Sequence, residues 1–113
     1  MQTSNKKLAT AKETKLFNQL VTVLSDLEHP KAMSSFLAIF LSDTERSVLS
    51  KRIGILWLLS QGKSYEEIQN ELHVSSATIS SMSELVDAPA IKQTIELIKR
   101  DTQISNWLES FSN

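Results

Sequence analysis

Five apolar residues at uneven intervals, Ile68, Leu72, Val74, Ile79 and Met82, constrain this chain more than any other feature. A single helix would repeat its core positions every three or four residues without a break. Here Ile68 and Leu72 keep that spacing, Val74 interrupts it, and Ile79 and Met82 resume it. Two short helices crossing steeply over a small shared core need this arrangement, with one apolar residue in the turn between them. Ala77, small and early in the second helix, lets a neighbouring backbone approach. The spacing predicts a helix-turn-helix over about residues 64 to 86. A plain helical hairpin within a bundle would satisfy the same offsets and stays open as the alternative. His73 stands where many such turns carry glycine, which adopts a left-handed conformation at little cost. Histidine is enriched among the other residues that do so.

The flanking segments also read as helices. Leu8, Ala11, Leu16, Leu20, Val23, Leu24 and Leu27 follow helical spacing, widened by Phe17 and Val21. Pro30 suits the first position of a second helix, and Phe36, Leu37, Ile39, Phe40 and Leu41 make that helix strongly apolar. So apolar a helix is unsuited to a solvent face, and another subunit would cover it. Ser42-Asp43-Thr44-Glu45 is a capping-box pattern opening a third helix, whose apolar residues Val48, Leu49, Ile53, Leu56, Trp57 and Leu59 run to a stop at Gly62. Ser64-Tyr65-Glu66-Glu67 is a second box, opening Tyr65 to Leu72. After His73-Val74-Ser75 a reading helix is expected from about Ser76 to Val86, broken by Asp87-Ala88-Pro89. A last helix follows, with Ile91, Ile95 and Ile98 on one side and Trp107, Leu108 and Phe111 beyond. Residues 1–7 are polar and expected to fray, and 87–113 form a C-terminal helical extension. The reading is a single all-α domain of about six helices over residues 1–113.

Composition narrows the chemistry. The chain has no cysteine, which excludes disulfides, cysteine-based zinc sites and thiol catalysis. His29 and His73 are far apart and form no helical ligand pair, so no metal and no cofactor is expected. Glu66-Glu67 and Asp43-Thr44-Glu45 are better explained as helix-start charges favoured by the macrodipole. Trp57 and Trp107 fit core or interface positions better than stacking platforms. No glycine-rich phosphate loop exists, and an enzyme is not expected. No apolar run approaches the roughly 18 residues that span a bilayer, and the first 15 residues lack an apolar signal core. The expectation is a cytoplasmic protein with no membrane partner. Charge is unevenly placed. Lys6, Lys7, Lys12 and Lys15 stand against Glu13 at the start, whereas Lys63 alone faces Glu66, Glu67, Glu71, Glu84 and Asp87 around the turn. A nucleic-acid binder normally shows the opposite bias at its reading head.

The stretch "LSDTERSVLSKRIGILWLLSQGKSYEEIQNELHVSSATIS", Leu41 to Ser80, resembles the Trp repressor superfamily. Gly62-x-Ser64-Tyr65-x-x-Ile68 and Val74-Ser75-x-Ala77-Thr78-Ile79-Ser80 look most like its YerC/YecD-like branch. "LFNQLVTVLSDLEHPKAMSSFLAIFL", Leu16 to Leu41, is similar to that branch's N-terminal helices. The resemblance covers roughly residues 16 to 86. It implies an intertwined homodimer in which the N-terminal helices of two subunits interlock. That agrees with the apolar second helix and with a 113-residue chain that gains by sharing a core. Two reading helices would then stand about 34 Å apart on a near-palindromic duplex.

In that setting the start of the reading helix meets DNA. Ser75 and Ser76 are placed for phosphate or water contacts, and Ala77 and Thr78 for base edges or the thymine methyl. Ser80 and Ser81 follow one turn on, and Ser64 with Lys63 opens the helix that crosses the backbone. Each serine also has a plainer role, as a cap or a solvated surface. Because phosphate contacts supply most non-specific affinity, the lysines at 6, 7, 12 and 15 are expected to reach DNA as flexible arms. Arg46, Lys51 and Arg52 add positive potential from the third helix. The expectation is weak, salt-dependent binding by a sequence-specific transcriptional regulator, a repressor. The tryptophan-sensing members hold the indole between two arginines beside a glycine. Arg52 matches the first arginine and is the corepressor-binding candidate, but Ser81 falls on the second and Met82 on the glycine. Serine cannot stack as a guanidinium does, so tryptophan is not expected to bind. Arg52 then fits better as an ion-pair partner of a nearby carboxylate, and no other corepressor is legible. The acidic surroundings favour a second reading, a helical dimer that binds a basic protein partner in place of DNA.

Overall fold

The structure is a computed structural model and describes residues 7–101 and residue 106. The described chain is all-α. Its helices are α1 (Thr10–Leu27), α2 (Pro30–Phe40), α3 (Asp43–Ser60), α4 (Tyr65–Leu72), α5 (Ser76–Ser83) and α6 (Pro89–Arg100). None of them is long and apolar enough to cross a membrane. Trp107, Leu108 and Phe111, expected beyond α6, lie outside the described residues, as does Lys6. The chain divides into two units, Met1–Arg46 and Ser47–Asn113.

In the first unit the chain reverses at Glu28, whose positive φ of 48° places it in a tight turn between α1 and α2. Pro30 begins α2, where its missing N–H costs nothing. Phe36 and Phe40, one turn apart, stack with ring centroids 4.7 Å apart. The first capping box forms in full. The Glu45 N–H donates to Ser42 Oγ at 3.1 Å, and the Ser42 N–H donates to Glu45 Oε1 at 2.9 Å. That backbone donor, helped by the Ser42 hydroxyl, holds the Glu45 carboxyl below the ordinary glutamate range. Arg46 pairs with Asp43 and donates to the Ala38 carbonyl at 2.8 Å, tying the end of α2 to the start of α3. Yet neither α1 nor α2 buries a single residue. Ile39 is 89% exposed, Phe17 63% and Phe40 59%.

The second unit holds the core. Gly54, Ile55, Leu56, Trp57 and Leu58 are buried in succession, so this half of α3 is enclosed on all sides. Ile68, Ile79, Met82, Ile95 and Ile98 complete the core, with Leu59, Leu72, Val74, Val86 and Ile91 packed against it. Trp57 is thus a core residue. The apolar residues expected along α3 are covered only in its second half, since Val48, Leu49 and Ile53 are exposed. Gly62 (φ 76°) stops α3 as expected. Its N–H bonds the Leu59 carbonyl and that of Lys63 bonds the Leu58 carbonyl, which closes the helix end. α6 buries Ile95 and Ile98 and carries Lys99 and Arg100 in its last turn, where they suit the helix dipole.

Candidate nucleic-acid interface

α4 is held at both ends by local chemistry. Ser64 Oγ accepts the Glu67 N–H at 3.1 Å and donates to Glu67 Oε1 at 3.2 Å. The second capping box therefore closes through the hydroxyl. Lys63, half-buried, lies 3.8 Å from the same carboxylate. At the other end His73 adopts φ 53°, ψ 55°, and its N–H bonds the Gln69 carbonyl at 2.9 Å. The left-handed turn inferred from sequence is present, with histidine in the glycine position.

Ser75 caps α5. Its Oγ accepts the Thr78 N–H at 3.1 Å and lies 2.9 Å from the Thr78 hydroxyl. Such a cap is worth about 1 kcal/mol. Ile79 and Met82 point into the core, and Ser75, Ser76, Ala77, Thr78, Ser80 and Ser81 are all exposed. The structure thus gathers these six expected contact residues on one short segment. Ser81 spends its hydroxyl on the Ala77 carbonyl at 3.1 Å. Ser64 and Lys63 sit apart from that ridge, at the far end of α4 and tied to Glu67. The ridge offers hydroxyls, the small side chain of Ala77 and the open N–H groups of a helix start, which favour an anion.

α5 is shorter than expected, ending at Ser83 and not near Val86. The N–H groups of Leu85 and Val86 fold back three residues, to the Met82 and Ser83 carbonyls, so the chain tightens ahead of Pro89. Four electrostatic expectations also change. Lys12 and Lys15 belong to α1 and cannot act as flexible arms. Arg46 is committed to Asp43 and Ala38. Arg52 is exposed, and no ion pair to it exists among the described residues, contrary to the expected carboxylate partner. Lys51, read from sequence only as a source of positive potential, instead donates to the His73 carbonyl at 3.4 Å. The acidic side chains Glu66, Glu67, Glu71, Glu84 and Asp87 are all exposed around the two short helices.

Met82 is 4% exposed and part of the core. Among the described residues no three His, Cys, Asp or Glu side chains are grouped to hold a metal ion.

Neither a curated protein nor a solved structure matches the chain. A family model described as Trp repressor protein matches residues 15–101, which takes in most of α1 and all of α2 to α6. The match continues past Val86, where the likeness read from sequence stopped, to the end of α6. The chain belongs to the Trp repressor protein family, a family of helix-turn-helix DNA-binding regulators.

Proposed function

We propose that this protein is a sequence-specific, double-stranded DNA-binding transcriptional repressor, acting in the cytoplasm as an intertwined homodimer of the YerC/YecD-like branch. One observation carries the reading. Ser75, Ser76, Ala77, Thr78, Ser80 and Ser81 project from α5 while Ile79 and Met82 anchor it. Short side chains let the helix start approach base edges closely, with the thymine methyl, hydroxyl and water contacts as the means of readout. Ser64 and Lys63 would add backbone contacts from the start of α4. α1 and α2, with no buried residue of their own, favour the dimer.

The test is fluorescence anisotropy with duplex fragments recovered and sequenced from a pull-down, run across a salt series. Saturable binding that weakens steeply with salt is expected, since the positive charge near the ridge is sparse. Ala77→Glu combined with Thr78→Glu should weaken binding at least about 100-fold while the dimer stays intact. No binding by the natural sequence at low salt rejects the proposal. The exposed acidic side chains support the second reading, a dimeric protein-interaction module. It gains if the double variant loses a protein partner in a pull-down and no DNA-binding is found.

We further propose that tryptophan is not an effector. Arg52 alone is left of the two arginines, Ser81 is bonded to its own helix, and Met82 occupies the glycine position. Titration calorimetry with free tryptophan should give no heat of binding, and binding in the low micromolar range or tighter would refute this.

A further inference from the structure

We infer that Lys51 is the positioning residue of the reading helix: from α3, its ammonium holds the left-handed turn through the His73 carbonyl and so sets the direction in which α5 leaves. This rests on the DNA-binding reading above. α5 is only eight residues long and buries just Ile79 and Met82. Two side chains give a short helix limited resistance to tilting, so its direction depends on how the turn before it is held. Only Val74 separates His73 from Ser75, the residue that caps α5.

Two contacts seat that turn on α3. Lys51, half-buried, reaches the His73 carbonyl at 3.4 Å. Gly54, three residues along α3, brings bare backbone against the last residue of α4. A Cβ there would stand 3.0 Å from Leu72 Cδ1. Leu72 and His73 are therefore held at adjacent points by apolar packing and by a charged donor. The end of α4 carries partial negative charge, and its last turn has no basic residue of its own. Lys51 supplies that cation from α3.

The experiment compares Lys51→Met and Lys51→Arg with the natural protein in two readouts. One is DNA affinity across a salt series, and the other is amide exchange in the protein without DNA. Lys51→Met should lower affinity about tenfold at every salt concentration, as expected for loss of a charged hydrogen bond. The slope of log affinity against log salt should not change. Exchange should quicken at His73, Thr78 and Ile79, whose N–H groups are bonded on either side of the turn, and stay as it was at Ile55–Leu58. Lys51→Arg, which keeps a cationic donor, should restore most of both. A slope reduced by about one would make Lys51 a phosphate contact and overturn the inference. So would unchanged affinity with unchanged exchange, or exchange quickened equally in α3, which marks a merely structural role. If the natural protein binds no DNA, the DNA reading fails, while the exchange comparison still decides whether Lys51 holds the turn.

Discussion

Phe17→Asp should dissociate the protein into monomers across the micromolar range. Leu16, Phe17, Leu20, Val21 and Val23 on α1 and Ile39 and Phe40 on α2 are all exposed, and neither helix buries a residue. Exposed apolar side chains in that number mark an interaction site, and the proposed occupant is the same two helices of a second copy. Burying one phenylalanine stabilises by about 1.5–3 kcal/mol. In a two-fold pair each substitution acts twice, so one change should weaken association by about two to four decades. The introduced carboxylate adds a desolvation cost in the same direction. Sedimentation velocity reads the mass, and the melting temperature of the natural protein should rise with concentration because association stabilises only the folded chain. A natural protein that sediments as a monomer, with a concentration-independent melt, would sink the homodimer.

The parts of the fold that are legible in sequence are those governed by local chemistry. The Ser42 and Ser64 boxes and Gly62 set helix ends through hydrogen bonds within a few residues, Pro30 does so through its fixed φ and missing donor, and all four act as expected. His73 is legible for the same reason, since the turn geometry allows few alternatives. The end of α5 is not. Whether the chain continues helically past Ser83 depends on how Val86 reaches the core, which is a tertiary matter. α3 shows the limit most clearly. Val48, Leu49 and Ile53 share a helical pattern with Leu56 and Trp57, yet only the latter two are buried. Periodicity reports that a face is apolar and does not say what covers it. The role of Lys51 escapes a sequence reading because a lysine there is only a charge, whereas its carbonyl partner lies 22 residues away in the chain. The contact ridge can be found because its neighbours Ile79 and Met82 have to face inward, leaving the serines and threonine no other side.

Ile79→Ala and the Ala77→Glu, Thr78→Glu pair should have opposite effects although they are adjacent in sequence. Ile79 is completely buried. Truncating it removes apolar contact and leaves a cavity, at a cost of about 2–5 kcal/mol. Against a total stability of about 5–15 kcal/mol, that is a large share. Urea denaturation should show the midpoint falling with the slope unchanged. Ala77 and Thr78 are exposed, so the glutamate pair should alter stability by no more than about 0.5 kcal/mol. There is even a small gain available. Thr78→Glu would complete a capping box with Ser75, and both new carboxylates would lie in the positive first turn of α5. Those same carboxylates face the phosphates on the proposed reading ridge, so DNA binding should be lost from a chain as stable as the natural one. The two outcomes together fix which way α5 is turned. If Ile79→Ala cost less than about 1 kcal/mol while the glutamate pair unfolded the protein, the helix would be rotated with its serine ridge inward, and no surface of α5 would be left to meet a duplex.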